Sequence, residues 1–318
     1  MLAALYALGW WWPSVWLAPL LWLAQGTMFW ALFVIGHDCG HGTFSSSATL
    51  NTFVGHLTHT PLLVPYHAWR VSHRTHHRHV GLLERDEGWV PLTAPAVDRL
   101  PWLARQLRLR WVLPAFPFYL LRNGPGRVGS HFNPRAVLFP ARERRRTAFS
   151  IALCMVVLAV WMVVTWVAGP GAVVRWFLGP WCVFVVWIDL VTFLHHTEAT
   201  IPWYRAPAWT PLAGALATID RHYGVFERLH HDAGCHVVHH LFPNVPHYHL
   251  RAVARVVQPV LGELYRVARE PVLSAFLRAV RAGYVVPAVG EVVHYERYVG
   301  GTVPRPVGRG AGVRPATR

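Results

Sequence analysis

Residues 14–41 read SVWLAPLLWLAQGTMFWALFVIGHDCGH, and this stretch decides the fold. Nothing from 14 to 36 is charged. At about 1.5 Å of rise per residue, a helix over 14–36 crosses the roughly 30 Å hydrocarbon layer of a bilayer. The apolar run stops at His37, and His41 follows one helical turn later. A span that ends in two imidazoles on one helix face predicts a membrane protein with its chemistry at the bilayer surface.

Upstream, residues 1–12 are also uncharged, and Trp10, Trp11, Trp12 and Pro13 mark a break. Tryptophan favours the membrane–water interface, and proline is tolerated at a helix start. Residues 1–12 reach only about 18 Å as a helix, so this span is expected to be partial or to begin upstream. Downstream, 149–168 and 172–196 read as two further spans. Gly169-Pro170-Gly171 reads as a tight turn between them, and Arg175 and Asp189 are the only charges in the second. The expected fold is all-α and integral to the membrane, with about four transmembrane helices in two hairpins. A helical cap from 37–148 and 197–298 holds a di-metal site. Residues 1–298 form one domain, and 299–318 form a disordered basic tail.

The composition agrees. Of 318 residues, 53% are hydrophobic and 14% charged, against about 25% charged in soluble domains. The net charge is +15, and every basic residue is arginine. Eleven of the arginines fall between Arg99 and Arg146. Such a surface suits anionic headgroups or an acidic protein, whereas apolar spans argue against nucleic acid. Arg142, Arg144, Arg145 and Arg146 precede the third span, so the positive-inside rule puts this side, with the cap and catalytic face, in the cytoplasm. Residues 99–122 mix arginine with Leu, Trp and Phe and read as an interfacial segment. Cys39, Cys154, Cys182 and Cys235 form no CxxC pair and indicate no disulfide framework.

The 21 histidines are grouped. His37 and His41 give HxxxH; His73, His76 and His77 give HxxHH; His236, His239 and His240 repeat it. On a helix, positions i, i+3 and i+4 share a face, so each group aims its rings at one point. Neutral imidazole is a ligand for iron, zinc and copper. Eight such rings exceed the needs of one ion and imply two. A carboxylate-type di-iron bundle would use Glu-x-x-His pairs. Glu227–His230 and Glu291–His294 have that spacing, but the inward glutamates of two further helices are missing, and GEVVHYERYV around the second pair reads as strand or loop.

Several strings go beyond spacing. GHDCGHGTFS (36–45), LVPYHAWRVSHRTHH (63–77), LERDEGWVPL (83–92) and HHDAGCHVVHHLFPNVPHYHL (230–250) closely resemble the membrane fatty acid desaturases. The likeness runs from about 14 to about 297 and is nearest to the omega-3 and delta-12 acyl-lipid enzymes of plants and photosynthetic bacteria. Gly42 after the first group looks like the omega-3 branch, and LERDE looks more like the delta-12 branch.

The resemblance implies that the eight grouped histidines bind two iron ions, Fe2+ or Fe3+ by turns. It implies a further ligand at the end of the last span, where His196 matches better than His195. It also implies that O2 and two external electrons remove hydrogen from adjacent acyl carbons, giving a cis double bond and water. The sequence holds no haem or flavin module, so the electrons come from another protein, expected to be ferredoxin-like rather than cytochrome b5. The acyl-lipid substrate would lie in an apolar tunnel, and the expected location is a bacterial cell membrane. Asp38, Asp189, Asp220 and Asp232 are candidate acceptors for the outer ring nitrogens of the ligands, Asp189 because seven residues separate it from His196. Competing readings are a sister di-iron hydroxylase acting on alkanes or carotenoids and, more distantly, a histidine-rich metal transporter. A transporter predicts ligands in mid-span, whereas these lie at span ends and beyond.

Overall fold

A computed structural model describes residues 1–12, 14–110, 113, 115–122 and 127–300. It is built mainly of helices. Helix α1 (Leu2–Trp11) and helix α2 (Ala18–His41) start the chain, α3 (Ala48–His59) runs back along α2, and α4 (Tyr66–His79) crosses their end. Three short helices follow: α5 (Ala94–Asp98), α6 (Trp102–Arg110) and α7 (Phe116–Leu121). Then come the long α8 (Arg144–Ala168), the single turn α9 (Pro170–Val173) and α10 (Gly179–His196), with a π-helical stretch, Val174–Leu178, joining the last two. The C-terminal part carries α11 (Pro211–Ala215), α12 (His236–Leu241), α13 (His247–Leu261) and α14 (Val272–Ala282).

Among the described residues, three helical stretches are long and apolar enough to cross a membrane: Ala18–His41, Ala141–Ala168 and Pro170–His196. Helix α1 is apolar and 10 residues long, shorter than these three. Two boundaries differ from the sequence expectation. Helix α2 runs through His41, so the first histidine pair completes the span's own helix; Gly42, at φ 80°, ends it in the left-handed conformation that glycine adopts without strain. The turn expected at Gly169-Pro170-Gly171 is confined to Gly169, because Pro170 already sits in the first turn of α9, where its missing N–H costs nothing. Pro13 and the tail 301–318 lie outside the described residues.

The long helices play different parts. Helices α2 and α10 pack along each other, and Phe29, Phe33, Phe184 and Ile188 meet in the main core. Helix α8 instead turns most of its apolar side chains outward, Trp166 being 86% exposed and Met162 59%. In water that face would be a large penalty; in lipid it is the expected surface.

The strands are short. Strand β1 (Pro202–Tyr204) pairs antiparallel with β5 (Val292–His294), with Trp203 opposite Val293. Strand β2 (Asp220–Arg221) pairs parallel with β3 (Val267–Ala268), and β4 (Tyr284–Val285) pairs antiparallel with β6 (Glu296–Arg297). GEVVHYERYV is thus extended, as its sequence suggests, and Glu291–His294 belongs to it rather than to a helix. This part fastens the end of α10: Tyr295 Oη donates to the carbonyl of His196 at 2.9 Å and accepts from Trp89 Nε1 at 3.2 Å.

Candidate metal centre

The three histidine groups lie far apart in the chain and meet in the fold. Helix α2 delivers His37 and His41 from its last turns, α4 delivers His73, His76 and His77, and α12 delivers His236, His239 and His240. Two clusters result. His37, His41, His73, His77 and His239 present ring nitrogens that all lie within 4.8 Å of one another, and His76, His196 and His240 do the same. His236 joins the second cluster, its Nε2 lying 3.1 Å from Nε2 of His196 and 3.0 Å from Nε2 of His240. All nine histidines singled out in the sequence are therefore gathered in one place.

The spacing of the nitrogens fits bound metal. Nε2 of His73 lies 3.0 Å from Nε2 of His41 and 3.1 Å from Nε2 of His77, and Nε2 of His77 lies 3.0 Å from Nε2 of His239. Two imidazole nitrogens about 2.1 Å from a shared cation, at right angles, stand about 3.0 Å apart. A neutral imidazole has one N–H and one lone pair, so a shared cation accounts for so many converging nitrogens more simply than hydrogen bonds do. Burial pushes the imidazoles of His73, His77, His236, His239 and His240 well below their usual pKa, with neighbouring rings adding to the effect. They are held neutral, which is the form that binds metal.

His195 and His196, adjacent at the end of α10, separate cleanly. His195 donates from Nδ1 to the carbonyl of Ile219 at 2.6 Å, and its Nε2 accepts from Tyr223 Oη at 3.0 Å. Both its nitrogens are taken. His196 turns the other way, into the second cluster.

The outer nitrogens are served differently from the sequence expectation. Asp86 is fully buried, and its Oδ1 accepts from His76 Nδ1 at 2.6 Å. It also accepts from the backbone N–H groups of Gly88 at 2.8 Å and Gly81 at 3.1 Å. Gly88 is required here, because a Cβ would fall 2.5 Å from His76 Nδ1. Of the four aspartates proposed from sequence, Asp38 lies 3.6 Å from the His37 Nδ1 and is tied to His247, whose Nδ1 lies 2.8 Å away. Asp189 accepts from the backbone N–H of Ala115 at 2.7 Å, not from His196. Seven residues along a helix are about 10 Å, so a shared face does not bring the two into contact. Asp220 accepts from the N–H of Val237 at 2.8 Å and from Tyr265 Oη at 2.5 Å, which anchors the start of α12. Asp232 pairs with Arg251. Asp86 lies inside LERDE, a string conspicuous in the sequence, but ten residues from His76 is no helical spacing. Glu227 accepts from the N–H of Tyr223 at 2.8 Å, and the Glu227–His230 pair stays outside both clusters.

A cavity of about 610 Å³ opens onto the clusters. His37, His73, His76, His196, His236 and His239 are among its lining residues. Trp30, Phe33, Trp69, Phe116, Ile188 and Val191 make its walls apolar, and Arg108 and Arg122 also line it.

Known proteins point the same way. A family model described as fatty acid desaturase matches residues 10–271. An sn-1 acyl-lipid omega-3 desaturase (ferredoxin) of Synechocystis sp. is 47% identical over 296 residues, which is 93% of this chain and 82% of the relative. A chloroplastic sn-2 acyl-lipid omega-3 desaturase (ferredoxin) of Helianthus annuus is 46% identical over 87% of this chain and 65% of the relative. An acyl-lipid omega-3 desaturase (cytochrome b5) of the endoplasmic reticulum of Arabidopsis thaliana is 44% identical over 93% of this chain and 78% of the relative. The converging histidines, the apolar cavity beside them and these matches agree that the chain belongs to the fatty acid desaturase family and is an oxidoreductase of lipid metabolism.

Proposed function

We propose that the chain places an omega-3 double bond in the acyl chain of a membrane lipid, using two irons. His37, His41, His73, His77 and His239 would hold one iron, and His76, His196, His236 and His240 would hold the other. The observation that carries this reading is the pair of all-imidazole clusters at the end of an apolar cavity. The omega-3 position is supported by the three relatives named above, all described as omega-3 desaturases.

Breaking the C–H bonds of unactivated methylenes needs an oxidant that no side chain provides, and iron with O2 supplies it. The balance takes two hydrogen atoms from the acyl chain, which amount to two protons and two electrons, and two electrons and two protons from outside, to turn one O2 into two waters. The protein supplies position and surroundings. Neutral imidazoles leave the ions their charge. Asp86 fixes His76 with its proton on Nδ1, so that Nε2 faces the cluster. The apolar walls keep water from the reacting carbons and hold the chain extended beside the irons. Arg108 and Arg122 suit the lipid's polar end. The arginine-rich side is cytoplasmic, in a bacterial cell membrane, and docks an acidic electron carrier of ferredoxin type.

Expression in a host that makes linoleoyl but not linolenoyl lipids tests this reading. Mass spectrometry should locate a new double bond at the omega-3 position, and the purified chain should contain iron. A hydroxylated product, a bond at another position or an iron-free active protein would each overturn the corresponding part.

A further inference from the structure

A second hollow, of about 1100 Å³, is lined by residues of the turn after α2, of α3, of the start of α4 and of the first turns of α8. It shares no lining residue with the acyl cavity. Its polar part carries Arg70, Arg146, His56 and His67, and no acidic side chain lines it. Arg70 donates from Nε to the carbonyl of Gly40 at 3.0 Å, and its terminal nitrogens make no hydrogen bond among the described residues. Arg146 has only a loose neighbour in Glu143, at 3.9 Å. The apolar part carries Phe53, Leu57 and Phe149, which are 65%, 62% and 56% exposed.

His56 is the second, independent sign of a ligand. It is only 9% exposed, yet neither ring nitrogen has a hydrogen-bond partner. Burial holds its pKa down, and that of His67 to about 3, so both rings are neutral at pH 7. A buried neutral imidazole offers one N–H and one lone pair, and leaving both unmet is costly. A ligand with an oxygen acceptor for the His56 N–H, negative charge beside the arginines and hydrocarbon beside Phe53 and Leu57 would suit this lining.

We propose that this hollow binds an anionic phospholipid, separate from the substrate, with its phosphate between Arg70 and Arg146, His56 donating to a phosphate or ester oxygen, and its acyl chains along Phe53, Leu57 and Phe149. A free phosphate fits less well, because the apolar strip continues the basic end. Arg146 also opens an apolar helix long enough to span the bilayer, which is where headgroups lie. Guanidinium binds phosphate in charge-assisted pairs, and removing one such pair weakens binding by about tenfold or more.

The full chain is purified into nanodiscs of phosphatidylcholine with a rising fraction of phosphatidylglycerol, and native mass spectrometry counts the lipid that stays bound. The expected result is one retained phosphatidylglycerol, held about tenfold more weakly by Arg146→Gln and more weakly by His56→Phe. Arg142→Gln, which removes an exposed charge outside the hollow, should retain lipid as the unaltered chain does. Iron content and the thermal unfolding midpoint, unchanged from the unaltered chain, report that the variants are folded. Equal retention by Arg146→Gln and the unaltered chain would overturn the proposal. So would equal losses in Arg142→Gln and Arg146→Gln, which would mean surface charge alone, or displacement of the lipid by millimolar inorganic phosphate, which would mean a phosphate site.

Discussion

The two histidine clusters are built on opposite plans. The five-ring cluster takes four of its members from consecutive turns of two helices, His37 and His41 on α2 and His73 and His77 on α4, and only His239 crosses from elsewhere. Those four rings are partly exposed. The other cluster takes one ring from α4, one from the end of α10 and two from the short α12. Its His76, His196 and His240 are at most 4% exposed, and His76 is braced by a buried carboxylate. Helical spacing supplies two pairs of rings to the first cluster, and the packing of α2 against α4 brings the pairs together. The second exists only if Asp86, Asp220 and Tyr295 hold their segments in place. One family of sites can therefore have a half that is robust to distant change and a half that depends on remote packing.

The sharpest way to break this contrast is to remove a ring from each cluster. His76→Ala and His41→Ala should both abolish the product, and each should lose roughly half of the bound iron on elemental analysis. Product from either variant at the level of the unaltered chain would disprove the ligand assignment. Next comes Asp86→Asn, which keeps the size of the side chain but not its charge. Iron affinity or turnover should fall about 10- to 100-fold, and iron spectroscopy should show one ion perturbed and the other unchanged. A smaller effect, of a few-fold in turnover, is expected for Asp38→Asn, because that carboxylate binds His247 and reaches His37 only at 3.6 Å. An effect of Asp38→Asn equal to that of Asp86→Asn would erase the distinction between the clusters.

The smallest effect lies outside both clusters. His131 is fully buried, its Nε2 is 3.0 Å from Ser72 Oγ, and burial holds its pKa down to about 4. The unfolded chain gains a proton near pH 6.5 while the folded chain does not, so this group's stabilisation is present above pH 6.5 and is lost as the pH falls from there towards 4. His131→Gln, which keeps a partner for Ser72 but cannot titrate, should flatten part of the acid-side loss in a thermal unfolding series and leave iron content unchanged.

Much of this was legible in the chain. The charge-free runs gave the long helices, because a bilayer admits only uninterrupted helix at that length. The i, i+3 and i+4 spacings gave the faces on which the histidines stand. Asp86 was not legible as a partner of His76. The chain must reverse at Gly81, at φ 75°, for a carboxylate ten residues on to reach back to the ring, and no periodic rule describes that path. Asp189 shows the converse, for a shared helical face without adjacency brought it to Ala115.

By itself the sequence determined which segments form long apolar helices and which side chains have the chemistry to bind metal, since both follow from composition and local helical period. It could not determine how the rings divide between two clusters or which carboxylate orients one of them. Those depend on contacts between residues distant in the chain, and such contacts exist only after α4, α10 and α12 have packed together. The local chemistry is written one residue at a time, whereas the division of labour in the centre is a property of the assembled fold.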